Sequence, residues 1–100
     1  MLSNAPNGLD LLTAMATAAA ERASAQLVGA VRLAKCESLE LAQGFQPGDV
    51  DLESWTMDAD RQAVVISVFA TAPQEGGGRR MAGSGRFTFT TLISQRSFRA

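Results

Sequence analysis

The chain has 100 residues, an apolar fraction of 46% and a formal net charge of −1, which are typical of one small globular domain. It has no histidine and a single cysteine, Cys36, which excludes Ser-His-Asp and Cys-His catalytic sites and histidine or thiolate zinc sites within one chain. No apolar run is long enough to cross a bilayer, and no secretory signal is predicted. We therefore expect a cytoplasmic protein without a metal or cofactor, and no nucleic-acid or membrane partner.

The first predicted element is a helix over about residues 8–26. Asn7 can cap it, and Asp10 then lies in the first turn, where the helix dipole favours an anion. Leucine and alanine, which are good helix formers, dominate the segment. Helical spacing predicts one apolar stripe, composed of Leu9, Leu12, Ala16, Ala19, Ala20 and Ala23. A helix with such short side chains is suited to a sheet that curves around it.

Four strands are predicted after the helix, over about 29–37, 50–58, 62–72 and 81–93. The third is apolar on both faces at its centre, which predicts a position in the middle of the sheet. Short connections after residue 50 indicate an antiparallel meander, and Cys36 is predicted to be a buried, inert thiol. The fold class is therefore α+β, with one long helix against an antiparallel sheet of about four strands. One ambiguity stays open, because residues 30–41 could also prolong the helix.

Three segments of this chain resemble the hotdog-fold hydroxyacyl-carrier-protein dehydratases. The segment 8–20, Gly-Leu-Asp-Leu-Leu-Thr-Ala-Met-Ala-Thr-Ala-Ala-Ala, is similar to their central-helix motif, usually Gly-Val-Leu-Ile-Ile-Glu-Ala-Met-Ala-Gln-Ala-Ala-Gly. The segment 45–50 resembles the Pro-Gly-Asp turn before their third long strand, and 80–89 resembles their last strand. Hotdog thioesterases share this layout. The resemblance implies a single hotdog-like domain over residues 1–100, without the one or two strands that usually precede the helix.

In that family the glycine at the helix start polarises a thioester carbonyl with its N–H and the helix dipole. The resemblance places Gly8 at this position, and Gly8, Leu9 and Thr13 become the candidate substrate-binding residues. An acidic residue in the second turn and a histidine normally move the protons. Here the acid is replaced by Thr13 and the histidine is absent, so no catalytic residue is assigned.

Three functions follow. The first is a dehydratase-like protein that binds an acyl thioester on coenzyme A or a carrier protein, as a degenerate or partner subunit in fatty-acid or polyketide-type metabolism. The resemblance implies active sites between subunits, hence a homodimer or a heterodimer with a related hotdog subunit. The second is an acyl-CoA or carrier-protein thioesterase that uses Asp10, Thr13 or Glu21. The third is a pilin-like structural protein, which requires a helix, rather than a strand, over residues 30–41.

Overall fold

A computed structural model describes residues 8–91. The chain forms one α-helix and then four β-strands, with one turn of 3₁₀-helix between the first two strands. The elements are α1 (Leu9–Ser24), β1 (Val31–Leu41), the 3₁₀ turn (Pro47–Asp49), β2 (Asp51–Ala59), β3 (Ala63–Pro73) and β4 (Arg79–Thr91). This is the α+β architecture that the sequence predicts. The predicted cap Asn7 and the predicted end of the last strand at residue 93 lie outside the described residues.

The four strands form one antiparallel sheet in the order β1-β4-β3-β2. The last three strands are a meander, and β1 pairs with β4 rather than with its neighbour in sequence. β3 lies between β4 and β2, so the prediction of a middle strand is confirmed. The segment 76–78 that joins β3 to β4 has three glycines at φ between 79° and 99°, a backbone region that other residues rarely adopt. Within residues 8–91, the edges of this sheet are therefore β1 and β2.

The core lies between α1 and one face of the sheet. Alternate residues of β3 and β4 point at the helix and are buried, among them Ile66, Val68 and Phe87. On the other face of β2, Trp55 and Met57 are 55% and 56% exposed. The two sides of the sheet thus have different environments, as the alternation in the sequence predicts.

The predicted apolar stripe of α1 is confirmed at Ala19 and Ala23, but it includes the exposed Leu9 and leaves out the buried Leu11 and Met15. The helix buries Leu11, Met15, Ala19 and Ala23 against the sheet, a run with a spacing of four. Leu9 is 62% exposed, and the row Leu12, Ala16 and Ala20 is half-buried beside β1. Both rows are apolar at helical spacing, so periodicity alone does not decide which one faces the sheet.

Residues 31–41 are a strand, which removes the pilin-like alternative and its continuous helix. The chain reverses at Gly29, where φ is 86°, and enters β1 two residues later. β1 is irregular, because its register against β4 shifts between Leu33 and Lys35 and again between Glu37 and Glu40. Ser38, with φ of 55°, lies within the second shift. No helix within residues 8–91 is long and apolar enough to cross a membrane.

Candidate functional site

A groove of about 610 Å³ runs between α1 and β1, and its floor is formed by β4. Its lining is almost entirely apolar. The lining residues are Leu12, Thr13, Ala16, Thr17, Ala20, Val31, Leu33, Cys36, Leu39, Phe87 and Phe89. Apolar concavities with few polar groups are the usual binding sites for small molecules.

The space in the groove follows from residue size on α1. Ala16 and Ala20 present only methyl groups toward β1, so the helix and the strand are not bridged by side chains there. From the far side, Leu33 and Leu39 reach over the groove while remaining 45% and 37% exposed. The groove therefore opens at the edge of the sheet that β1 forms.

The start of α1 is next to this groove. Gly8 is the cap residue, with φ of 88°, and its carbonyl accepts the Leu12 N–H at 2.9 Å. A Cβ at Gly8 would lie 3.3 Å from the Leu41 Cδ1 atom, so the helix start is close to the end of β1. Like every helix start, this turn directs main-chain N–H groups outward with a positive dipole end.

The three candidate substrate-binding residues occupy two places. Thr13 lines the groove, while Gly8 and Leu9 are one helical turn before its first lining residue, Leu12. Thr13 and Thr17 contribute the two hydroxyl groups of the lining. The hydroxyl groups of the groove thus lie on its helix side, and the strand side contributes only the Cys36 thiol.

The titratable groups surround the groove rather than line it, with Cys36 as the exception. Cys36 is exposed, so the prediction of a buried thiol is wrong, and the reason is that β1 is an edge strand. Partial desolvation and the neighbouring Glu37 carboxylate raise the pKa of the Cys36 thiol, which disfavours a thiolate nucleophile. Asp10 and Glu21 are exposed residues of α1. Within residues 8–91, acidic and cysteine side chains form no cluster that could hold a metal.

The strand side of the groove was missed by sequence reasoning. Leu33 of β1 pairs with Phe89 of β4, and Cys36 pairs with Phe87, so four residues far apart in sequence form one wall. Their alternation in each strand was visible. The pairing of β1 with β4 was not, because it depends on the sheet order and on the register shift after Leu33.

No protein-family model matches this chain, and no curated protein matches it. Solved structures do. A hexameric broad-specificity acyl-coenzyme A thioesterase superimposes with a TM-score of 0.76 and 21% identity, over 92% of this chain and 70% of that one. An acyl-CoA hydrolase from Bacillus cereus superimposes with a TM-score of 0.74 and 22% identity, over 89% of this chain and 56% of that one. A hexameric thioesterase from Yersinia pestis superimposes with a TM-score of 0.75 and 18% identity, over 88% of this chain and 73% of that one.

These superpositions define the fold. The chain has the hotdog fold, in which a central helix lies against a curved antiparallel sheet, and the fold-level resemblance drawn from the sequence is confirmed. At 18–22% identity the similarity establishes the fold alone. Function has to be argued from the groove and the start of α1.

Proposed function

We propose that the chain binds acyl-coenzyme A thioesters and hydrolyses them. The observation that carries this proposal is the apolar groove, which begins one turn after the amino end of α1 and follows the helix. From Leu12 to Ala20 the groove extends about 12 Å along the helix axis, enough for an acyl chain of medium length. The solved structures that share the fold are named as thioesterases or an acyl-CoA hydrolase, which supports this alternative over a dehydratase.

In this proposal the acyl chain lies in the groove and the thioester carbonyl lies at the start of α1. Gly8 contributes its N–H there, and Leu9 adds apolar surface at the mouth of the groove. Negative charge develops on the carbonyl oxygen when water attacks, and the positive end of the helix dipole stabilises that charge. The absence of a side chain at Gly8 lets the substrate approach the backbone closely.

The proton must be taken by a group near the same helix turn. Asp10 and Thr13 are three residues apart on α1, so their side chains are neighbours on one face, and Thr13 lines the groove. We assign the Asp10 carboxylate as general base and the Thr13 hydroxyl as the group that orients water. The water oxygen bonds to the carbonyl carbon, the carbon–sulfur bond breaks, and the departing sulfur receives the proton. Glu21 is eleven residues beyond Asp10, about 16 Å along the helix, which is too far to act there.

Loss of thioester absorbance in the ultraviolet measures hydrolysis of acyl-coenzyme A substrates of increasing chain length. We expect Asp10→Asn to reduce kcat at least tenfold, since general base catalysis contributes roughly 10²–10⁴ in rate. Glu21→Gln is the matched control, because it removes a carboxylate from the same helix at the far end of the groove. Equal activity of Asp10→Asn and the unchanged chain would overturn the assignment of the base.

The thioether analogue of an acyl-coenzyme A, which cannot be hydrolysed, measures binding separately. Binding of the analogue without hydrolysis of any substrate would overturn the thioesterase proposal. It would favour the partner subunit that the dehydratase resemblance implies, in which a second chain supplies the catalytic acid and histidine. A homodimer or heterodimer and a cytoplasmic location are part of this proposal.

A further inference from the structure

Two neighbouring arginines of β4, Arg79 and Arg80, lie on opposite faces of the sheet. The register of β4 against β3 shifts by one residue after Ala70. As a result Arg80 pairs with Ala72, which is buried on the helix face, and directly paired residues of antiparallel strands share a face. Without the shift, strand alternation would put Arg80 on the outer face together with Arg86. The irregularity therefore turns one of the two arginines toward the helix side.

Arg79 lies on the outer face, where its charge is paired. Its guanidinium donates to the Thr71 hydroxyl at 3.0 Å and to the Thr71 carbonyl at 3.1 Å, and it forms an ion pair with Asp51 of β2. Asp51 and Thr71 are opposite each other in the β2–β3 pairing. Arg79 is thus occupied in joining the strands.

Arg80 is held by an aromatic ring instead. Its guanidinium carbon is 5.2 Å from the centre of the Phe45 ring, which is the geometry of a cation–π contact. Phe45 packs against the core, so the ring is a fixed support for an exposed cation. In the part of the chain that the structure describes, no carboxylate pairs with Arg80. Its planar N–H donors are therefore available to an anion such as a phosphate, which arginine binds in a bidentate manner.

β4 places Arg80, the start of α1 and the acyl groove in one line. A Cβ at Gly83 would lie 3.1 Å from the Leu41 side chain, and a Cβ at Gly8 would lie 3.3 Å from the same side chain. Gly83 therefore marks the level of the helix start along β4. Phe87 of the groove follows four residues later, whereas Arg80 precedes Gly83 by three residues, about 10 Å of strand.

An acyl thioester of coenzyme A has three parts in the same order. The acyl chain is joined through the thioester to a pantetheine arm, and the arm ends in a phosphate. From the sulfur to that phosphorus the arm has about 13 bonds, which span roughly 15 Å when extended. A thioester bound at Gly8, with its acyl chain in the groove, therefore has its phosphate within reach of the Arg80 side chain.

We propose that Arg80, held over Phe45, binds the phosphate that ends the pantetheine arm of the substrate. The inference rests on the proposed function for the position of the thioester at Gly8, and it adds the group that is recognised on the other side of the thioester. The phosphate supplies the anionic partner that Arg80 does not have among residues 8–91. Free coenzyme A and the phosphopantetheine arm of a carrier protein both contain this phosphate.

The test is calorimetry with four thioether analogues that have the same acyl chain and cannot be hydrolysed. They are the analogues of acyl-N-acetylcysteamine, acyl-pantetheine, acyl-phosphopantetheine and acyl-coenzyme A. Arg80→Gln should raise Kd roughly fivefold for the two analogues with a phosphate, the scale of an exposed charge pair, and leave the other two unchanged. Equal effects on all four, or an effect on none, would overturn the assignment. So would an effect confined to the coenzyme A analogue, because Arg80 would then contact the nucleotide.

Three variants control the interpretation. Arg79→Gln makes the same chemical change one residue earlier, on the outer face, and should leave all four Kd values unchanged. Arg80→Lys retains the charge without the planar donors and should restore part of the affinity. Phe45→Leu keeps an apolar side chain but removes the aromatic face, and it should weaken the same two analogues. Added salt should weaken binding of these analogues to the unchanged chain more than to Arg80→Gln, since it screens the charge pair.

The two analogues with a phosphate also distinguish the source of the arm. Tighter binding of the coenzyme A analogue by the unchanged chain identifies the free coenzyme, and equal binding identifies the phosphopantetheine arm of a carrier protein. Hydrolysis of acyl-N-acetylcysteamine, which has no phosphate, measures the proposed function by itself. An inactive chain whose binding depends on Arg80 would leave this inference standing. An active chain whose binding does not depend on Arg80 would overturn the inference and leave the proposed function standing.

Discussion

Gly83 of β4 is the point at which helix, edge strand and sheet are closest, and Gly83→Ala tests that packing. A Cβ there would lie 3.1 Å from the Leu41 Cδ2 atom, 3.2 Å from the Met15 Sδ atom and 3.3 Å from the Glu40 carbonyl oxygen. Favourable contacts between non-bonded atoms begin at about 3.5 Å. Two of the three neighbours are ends of flexible side chains, but the third is backbone of β1, so the strand itself must shift.

Overpacking of this kind costs about 1–3 kcal/mol, and the alanine recovers about 0.4–1 kcal/mol by restricting the unfolded chain. We therefore expect Gly83→Ala to lower the free energy of unfolding by about 1–2 kcal/mol. With a urea m-value of about 1 kcal/mol/M, the midpoint falls by about 1–2 M. The measurement is a urea titration followed by circular dichroism at one fixed protein concentration.

Gly48→Ala is the matched control, because a Cβ at Gly48 meets no atom within 4 Å. We expect no loss of stability there. A second control combines Met15→Ala with Gly83→Ala, since removal of the Met15 side chain should make the added methyl group less costly. Equal midpoints for Gly83→Ala and the unchanged chain would refute the close approach of α1, β1 and β4.

Three further substitutions have defined outcomes. Two backbone N–H groups of the β2–β3 hairpin lower the pKa of Asp60. These hydrogen bonds stabilise the folded chain fully above the pKa that Asp60 has in the unfolded chain, and this stabilisation is lost as the pH falls through its pKa in the folded chain. The free energies of unfolding of Asp60→Asn and of the unchanged chain, measured by unfolding titrations at several pH values, should therefore converge in acid. Gly8→Ala should destabilise by about 1–2 kcal/mol, measured by thermal unfolding, because φ is 88° and Leu41 is 3.3 Å away. Gly85→Ala would bring a methyl group within 3.1 Å of Leu39, so calorimetry should show weaker binding of long acyl analogues and unchanged binding of acetyl analogues.

The fold could be predicted from the sequence because local pattern and tertiary structure agree. The continuous apolar run in residues 62–72 and the helical spacing in 8–26 each specify one element, and short connections specify an antiparallel meander. Residues 30–41 were ambiguous, since their apolar spacing suits a strand or a helix. The outcome is a strand, entered after the left-handed backbone of Gly29.

The candidate site residues named from the sequence all lie at the start of one element, α1. Thr13 is a candidate because the resemblance places it at the position of the family's acid, and it lines the groove, while its role stays a prediction. The positions of Leu33, Leu39 and Phe89 in the groove depend on which strands are neighbours and on where the register of β1 shifts. The local periodicity of the sequence indicates neither. The prediction of a buried Cys36 is wrong for the same reason, because the sequence of a strand does not show whether that strand lies at the edge of the sheet.

The edge strand β2 is strongly acidic. Asp51, Glu53 and Asp58 are all acidic, and Asp51–Ala59 contains no base. Two copies that met through this edge would bring acidic side chains together, which destabilises a strand pair. Carboxylates along β2 thus act against edge-to-edge association at this side of the sheet.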